Sequence, residues 1–174
     1  MVVKAAAFRL ERLASPIGEL ALVLDAEGRL RTLGWTDLED RWRRDLKVRH
    51  GADLPLEPAR GRSRAAEALE AYFAGDLTAL DALPVEPGGT AFQRAVWSAL
   101  REIPPGTRLT YAQIAARLGR PAALRAVGHA NGANPISLVI PCHRLVGADG
   151  SLTGYGGGLD RKAWLLAHEG VALG

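Results

Sequence analysis

The sequence has a single cysteine, Cys142, and only four histidines, which are spread along 174 residues. One cysteine cannot form an internal disulfide, and His50, His129, His143 and His168 lack the close spacing of zinc ligands. We therefore expect no disulfide, no structural metal and no bound cofactor.

Long apolar runs are also missing. No stretch approaches the roughly 20 apolar residues that span a bilayer. Met1–Leu10 lacks the basic segment followed by an apolar one that marks a secretory signal. We expect a cytoplasmic protein with no membrane partner, and its 48% of apolar residues is enough to build a core.

The net charge of +3 is small but unevenly placed. Residues 90–174 carry a net +5, whereas residues 1–89 carry −2. A basic C-terminal half suggests an anionic partner, of which nucleic acid is the commonest. Solvated basic faces are ordinary, so this pattern alone leaves both interpretations open.

The first half contains three strand-like runs, Phe8–Leu13, Glu19–Leu24 and Leu30–Trp35, separated by turn signals at Ser15–Gly18 and Asp25–Gly28. This order predicts a small antiparallel meander. A charge-rich helix is expected over 37–49, a loop over 51–61, and a second helix over Arg64–Ala74.

Ala82–Gly89 (ALPVEPGG) holds two prolines and two glycines, and it marks the best boundary in the chain. We therefore predict an N-terminal sheet and helix domain over 1–84 and a C-terminal domain over 85–174.

Two capping boxes open helices in the second half: Thr90–Gln93 and Thr110–Gln113. The second helix stops at Gly119, and Pro121 suits the first turn of a third, which we expect to reach Ala133. Two helices joined by a tight glycine-containing turn indicate a helix-turn-helix, although such a pair often serves only for packing.

The second helix of this pair consists largely of small residues, with Arg125 as its one long basic side chain. A helix that reads base edges normally carries several polar side chains. Small residues allow close approach to another surface, into which a lone arginine can project; an alanine-rich helix packed on its neighbour is the alternative.

The residues around Cys142 suggest a reactive thiol. Ile136–Ile140 is interpreted as a short apolar strand that delivers Cys142, followed directly by His143 and Arg144. A free cysteine is mainly a thiol at neutral pH, so a nucleophile needs a base or a nearby positive charge. His143 offers the base, and Glu169 is a candidate to orient it. A lone cysteine is also common as a small core residue.

Several ordered motifs resemble the O6-alkylguanine-DNA alkyltransferases of bacteria. The strongest is Ile140–Arg144 (IPCHR). Further motifs match in type and order: Arg125–Gly128, Asn134–Pro135, Gly154–Gly158 and Trp164–Gly170, with Ser15–Gly18 and Tyr72–Gly75 in the first half. The five motifs of the second half lie in order within residues 125–170, which makes them a specific signal.

The resemblance implies an α/β two-domain fold, with an N-terminal antiparallel sheet domain like ribonuclease H and a mainly helical C-terminal domain with a helix-turn-helix. Cys142 would accept the alkyl group of O6-alkylguanine, and of O4-alkylthymine, irreversibly and once per molecule. His143 would deprotonate Cys142 through a water, with Glu169 behind it. Asn134 would hold the Cys142 loop, and Tyr111 would press on the phosphate 3′ to the target. The Tyr111 hydroxyl, or a nearby donor, would protonate guanine N3.

The resemblance also implies double-stranded DNA as the partner, bound by a monomer through the minor groove; cooperative assembly is left open. The target base would be flipped out, with Arg125 taking its place. The small residues Ala122, Ala126 and Gly128 would suit the narrow groove. The substrate pocket would be formed by these residues: Tyr155, Gly156, Val146 and Arg144.

Gly156 departs from family members that carry a hydroxyl side chain there, so we expect tolerance of groups larger than methyl. Three alternatives stay open. A recognition-only relative would replace Cys142, usually with tryptophan. A cysteine hydrolase of small molecules would turn over without DNA. A transcription regulator needs more base-reading side chains than this helix has, and no cysteine-rich metal domain supports methylation-dependent regulation.

Overall fold

The computed structural model describes residues 7–51 and 55–172. Contacts divide the chain into two compact units, Met1–Gly88 and Gly89–Gly174. The division falls inside the proline- and glycine-rich segment. Gly89 has φ of 83°, a left-handed conformation that favours glycine. A Cβ at this position would lie 2.7 Å from the ring of Trp97, so a side chain there would displace that ring.

The first unit is built on a four-stranded sheet of order β3-β2-β1-β4. The predicted meander is confirmed as β1 (Phe8–Leu13), β2 (Leu20–Leu24) and β3 (Leu30–Trp35), paired antiparallel. The expectation of a purely antiparallel sheet is wrong, because β4 (Leu56–Pro58) pairs parallel to β1.

The composition of the fourth strand, β4, gave no signal from which a strand could be predicted. It is three residues long and ends in a proline, and it occupies an edge of the sheet, where a missing backbone donor is tolerated. It lies within the stretch 51–61 predicted as a loop, of which residues 52–54 are outside the described residues. Residues 1–6, which belong to the segment considered as a signal, are outside them too.

Both predicted helices of the first unit are confirmed, as α1 (Glu39–His50) and α2 (Arg64–Phe73). A 3-10 turn, Thr36–Leu38, precedes α1. Trp42 and Leu46 of α1 pack on the sheet against Phe8, Ala21 and Val23. Apolar side chains on one stripe of the helix thus cover one face of the sheet.

The second unit contains α3 (Ala91–Arg101), α4 (Tyr111–Arg117), α5 (Leu124–Gly132) and α6 (Leu159–His168). The capping boxes at Thr90 and Thr110 are both confirmed. None of the helices in the described ranges has the length and apolarity needed to cross a bilayer.

The connection from α4 to α5 is longer than expected, so α5 is shorter than predicted. Gly119 has φ of 70°, and Arg120 N–H donates to the carbonyl of Ala115 at 2.9 Å, which closes α4 with a Schellman-type cap. Pro121 lies in the turn that follows, so α5 begins at Leu124 rather than at the proline. The fixed φ of Pro121 is compatible with this turn, so the proline need not lie in a helix.

The expected strand Ile136–Ile140 is wrong. The segment is a buried turn, in which Leu138 has φ of 72° and Ile140 N–H donates to the Ile136 carbonyl at 3.0 Å. The residues of this segment are apolar because the segment is buried. A strand and a turn in the core both require apolar residues, so the pattern did not distinguish them. A 3-10 helix, Cys142–Arg144, follows and leads into β6 (Leu145–Val146), which pairs parallel to β5 (Leu109–Thr110). This pairing sets the cysteine segment beside the start of α4.

Candidate active site

Cys142 is the first residue of the 3-10 helix and is 5% exposed. Its backbone N–H donates to the carbonyl of Ile140 at 2.8 Å. Pro141 before it is buried as well. The thiol is therefore held on a fixed backbone in a largely water-excluded position, where neighbouring charges act strongly.

His143, Arg144 and Glu169 form a buried polar cluster. Nε2 of His143 lies 2.9 Å from Oε2 of Glu169, and the guanidinium of Arg144 donates through Nε to Oε1 and through a terminal nitrogen to Oε2, both at 2.9 Å. The other terminal nitrogen donates to the carbonyl of Ile103 at 2.6 Å. Bidentate pairing of this kind fixes a carboxylate in orientation as well as in charge.

The protonation states of this cluster follow from burial and pairing. Burial raises the pKa of Glu169, but hydrogen bonds from His143 and Arg144 outweigh it and bring that pKa well below its usual range. Burial lowers the pKa of His143 below its ordinary 6.5, against the opposing hydrogen bond to Glu169. At neutral pH the cluster therefore holds an ionised carboxylate, a neutral imidazole and a guanidinium.

This charge state assigns the tautomer of His143. Because an ionised carboxylate only accepts, Nε2 of His143 carries the proton and donates to Glu169. Nδ1 is then the unprotonated nitrogen, and it is buried without a hydrogen-bond partner among the described protein atoms. A buried basic nitrogen beside Cys142 in the chain can accept a proton.

Asn134 closes the turn that carries the cysteine. Its side-chain amide donates to the carbonyl of Ile140 at 2.8 Å, and its oxygen accepts from the backbone N–H of Ile136 at 3.0 Å. The side chain thus bridges the two ends of the buried turn immediately before Pro141. These bonds replace the strand ladder that the turn lacks.

Tyr111 begins α4, and its hydroxyl lies 3.1 Å from Oγ1 of Thr153. The backbone carbonyl of Thr153 accepts from Nζ of Lys162 at 2.8 Å. The side chain of Lys162 is fully buried, and burial lowers its pKa to about 8, with Cys142 acting in the opposite direction. A line of polar contacts thus runs from Tyr111 through the loop before α6 to a buried lysine on α6.

The four residues predicted for the pocket occupy different surroundings. Tyr155 is partly buried and Gly156 exposed in the loop before α6. Val146 and Arg144 are 2% and 4% exposed: Val146 packs with Leu166 and others in a small core cluster, and Arg144 is engaged with Glu169. Contact of these two side chains with a ligand stays a prediction.

The small-residue helix α5 presents an open face. Arg125 and Ala126 are exposed, as is Ala122 in the preceding turn. Gly128 is partly buried, and a Cβ there would meet nothing within 4 Å. On the opposite side, the carbonyl of Ala130 accepts from Nε1 of Trp97 on α3 at 2.8 Å. The small residues of α5 therefore lie on its exposed face as well as on the face that packs against α3.

Three features of the site were not predicted from the sequence: Lys162, Thr153 and the carbonyl of Ile103. For Lys162 a signal existed, because it lies three and four positions before the buried Leu165 and Leu166 and hence on the apolar stripe of α6. Thr153 and Ile103 carried no such signal, since their contacts come from segments far apart in the chain.

Among residues 7–51 and 55–172, no group of three or more His, Cys, Asp or Glu side chains is arranged to hold a metal ion. The polar groups around Cys142 bind one another instead. The arrangement offers a thiol, a neutral histidine oriented by a carboxylate, and a buried lysine. Together they can generate and stabilise a thiolate nucleophile.

Comparison with known proteins gives one consistent result. A family model described as "6-O-methylguanine DNA methyltransferase, DNA binding domain" matches residues 91–171. The methylated-DNA–protein-cysteine methyltransferase of Salmonella typhimurium is 49% identical over 164 residues, covering 94% of this chain and 96% of its own. That of Methanosarcina acetivorans is 45% identical over 156 residues, covering 90% and 94%. The crystal structure of Mycobacterium tuberculosis OGT in complex with DNA aligns with a TM-score of 0.78, 41% identity and coverage of 94% and 92%.

Proposed function

Because the chain belongs to the methylated-DNA–protein-cysteine methyltransferase family, we propose that it transfers the alkyl group of O6-alkylguanine in double-stranded DNA irreversibly to Cys142, one group per molecule. DNA repair by methyl transfer to cysteine, with DNA as the partner, is the activity of this family. The acceptor, the range of lesions and the single turnover are the parts that we propose.

The observation that carries the proposal is the pairing of His143 with Glu169 next to the chain's single cysteine. Nδ1 of His143 is the free base position, and a water between it and Sγ would carry the proton from the thiol. Glu169 stabilises the imidazolium that forms, as a carboxylate does behind a catalytic histidine. Asn134 keeps the Cys142 segment in place through its bond to Ile140.

The chemical step is an SN2 displacement. The Cys142 thiolate attacks the alkyl carbon, a C–S bond forms, and the C–O6 bond breaks with its electrons going to guanine. The guanine anion then takes a proton at N3, and the hydroxyl of Tyr111 is the donor we assign. The product is a thioether, which no residue of the site is equipped to hydrolyse. Each molecule therefore acts once.

Access to the lesion requires the base to leave the duplex, because the O6 substituent cannot meet a thiolate inside the base stack. The open face of α5 supports entry into the minor groove, with α4 and α5 acting as a helix-turn-helix. Ala122, Ala126 and Gly128 permit close approach, and Arg125 fills the space left by the base. Tyr111 would press on the phosphate 3′ to the target.

The flipped base would lie against Tyr155, with Gly156 leaving room beside it. The exposed position of Gly156 is consistent with this role. We propose that alkyl groups larger than methyl are accepted, and that O4-alkylthymine is a second substrate. We further propose that the protein acts as a monomer in the cytoplasm and that its first unit is a scaffold of ribonuclease H-like topology.

The test is mass spectrometry of the intact protein and its peptides after incubation with duplex DNA carrying O6-methylguanine. One added methyl group on the Cys142 peptide, never more than one per molecule, with guanine restored, is the expected result. The control variant Cys142→Ser should bind the damaged duplex and gain no mass.

Two outcomes would overturn the proposal. Tight binding of damaged DNA with an unmodified Cys142 would indicate a recognition-only protein. Neither binding nor modification, together with turnover of a small-molecule ester or thioester, would indicate a cysteine hydrolase.

A further inference from the structure

Asn131 is an unusual residue for the interior of a helix. It lies in the last turn of α5 and is 5% exposed, yet its side-chain oxygen Oδ1 is buried without a hydrogen-bond partner among the described residues. A buried acceptor that makes no hydrogen bond costs free energy, and asparagine is a weaker helix former than the alanines around it. Neither packing nor helix formation therefore explains this residue.

Asn134, three residues further along the chain, shows what a structural asparagine does in this segment. Its amide donates to the carbonyl of Ile140, and its oxygen accepts from the N–H of Ile136, so both ends of the side chain are bound. Asn131 joins the same segment through its backbone carbonyl, which accepts from the N–H of Asn134 at 3.3 Å. This contact leaves Oδ1 of Asn131 for another partner.

The position of Asn131 on α5 is between two faces of the helix. Successive residues of an α-helix are rotated by about 100°, which places Asn131 between Val127 and Gly128 around the axis. Val127 and Ala130 are buried on the packed face, whereas Arg125 is exposed on the open face. A Cβ at Gly128 would meet nothing within 4 Å, so this flank of the helix borders open space.

We infer that Asn131 is a specificity-determining residue for the flipped base, an inference that rests on the proposed function: its buried Oδ1 accepts a hydrogen bond from the exocyclic amino group of O6-alkylguanine. A base that leaves the duplex against the open face of α5 reaches Cys142 along this flank, because the segment that carries the cysteine begins where α5 ends.

The amino group is the one hydrogen-bond donor of the alkylated base. Alkylation at O6 leaves N1 without its hydrogen, so N1, N3 and N7 of the guanine are all acceptors, and N9 carries the sugar. O4-alkylthymine has no hydrogen on N3 and no amino group, so it has no N–H donor. A buried acceptor discriminates against a base that leaves it unpaired. Asn131 therefore favours O6-alkylguanine over O4-alkylthymine.

The experiment compares two lesions that differ only in the amino group. Single-turnover transfer is measured from duplexes that carry O6-methylguanine or O6-methylhypoxanthine, for the wild type, Asn131→Leu and the control His129→Leu. Leucine keeps the approximate size of asparagine but has no acceptor, and His129 is an exposed residue of the same helix. The ratio of the two rates is the readout, since a purely structural role of Asn131 would change both rates alike.

We expect the wild type to react about tenfold or more faster with O6-methylguanine than with O6-methylhypoxanthine. In Asn131→Leu the two rates should become nearly equal, mainly because transfer from O6-methylguanine slows. The rate for O4-methylthymine relative to O6-methylguanine should rise by a similar factor in this variant. His129→Leu should keep both wild-type ratios.

A folded Asn131→Leu protein, by circular dichroism, with the same rate ratios as the wild type would overturn the inference, because Oδ1 would then have its partner in the protein or in a bound water. If this variant does not fold, the smaller Asn131→Ser takes its place. The wild type alone also tests the inference: equal rates for O6-methylguanine and O6-methylhypoxanthine would contradict it.

The failure of this inference can be distinguished from the failure of the proposed function. Binding of the two duplexes to Cys142→Ser requires no transfer, so fluorescence anisotropy can measure the preference for the amino group, with and without Asn131→Leu, even if methyl transfer is not observed. Conversely, transfer to Cys142 with an unchanged rate ratio in Asn131→Leu leaves the function intact and removes Asn131 from the recognition of the base.

Discussion

Arg144 and Glu169 form a side-on pair across 25 positions of the chain, with both carboxylate oxygens at 2.9 Å from the guanidinium nitrogens. The pair leaves Oε2 to accept from His143 as well. A carboxylate held in this way cannot rotate, so it fixes the ring of His143 and its tautomer. The arginine is thus the reason why the histidine presents a bare Nδ1.

Glu169→Gln keeps the size and shape of the side chain and should abolish most of the transfer activity. The neutral amide no longer stabilises a charged His143, so we expect transfer from O6-methylguanine DNA to slow about 100-fold or more. It also leaves Arg144 buried without a counter-charge, at a cost of about 3–5 kcal/mol in the free energy of unfolding. Single-turnover kinetics and urea denaturation measure both, with the exposed Glu102→Gln as control. Wild-type rates in Glu169→Gln would contradict the assigned base.

The stability should fall as the pH drops below 6.5. Burial holds the pKa of His143 below that of an unfolded histidine, so the unfolded chain takes up a proton first. Between pH 6 and 5 we expect His143 to contribute a slope of up to about 1.4 kcal/mol per pH unit, stability being higher at the higher pH.

Urea denaturation at half-unit steps of pH measures this slope. His50 also contributes, because burial lowers its pKa to about 4, and His50→Gln removes its share. A flat profile from pH 7 to 5 in His50→Gln would show that His143 takes up its proton at the same pH in the folded and the unfolded protein, contrary to the pKa depression expected from its burial.

Arg125→Ala should separate DNA processing from thiol chemistry. Without the side chain that we propose to replace the flipped base, transfer from duplex DNA should slow about tenfold or more, whereas the reaction with free O6-benzylguanine should not change. The control Arg44→Ala removes the same charge from α1, and we expect it to leave both rates unaltered. An equal loss with the free base would place Arg125 in the fold rather than in DNA binding.

Gly156→Ser should narrow the pocket. We expect the rate for a benzyl group to fall about tenfold relative to that for methyl, since one added side chain in a pocket discriminates by about 1–3 kcal/mol. Competition between O6-benzylguanine and O6-methylguanine duplexes measures the ratio. Gly154→Ser adds the same atoms two residues earlier and should leave the ratio unaltered. An equal effect on both substrates would remove Gly156 from the pocket.

The local signals in the sequence were reliable where they acted within a few residues. The two capping boxes at Thr90 and Thr110 join groups three positions apart, and both open helices as predicted. The meander follows from alternating runs separated by turns. The strand β4 was missed, because three residues ending in a proline gain their pairing from β1 and not from their own propensity.

The sequence by itself determined which residues are candidates for the nucleophile, its histidine neighbour and the carboxylate, because a single cysteine followed by histidine and arginine limits the chemistry open to it. Only the tertiary structure decided how these groups are charged. Burial and the pairing of Glu169 with Arg144 determine that His143 is neutral. The folding of α6 buries Lys162, and burial lowers its pKa to about 8. Such effects depend on distance and on the exclusion of water, and neither is encoded in residue order alone.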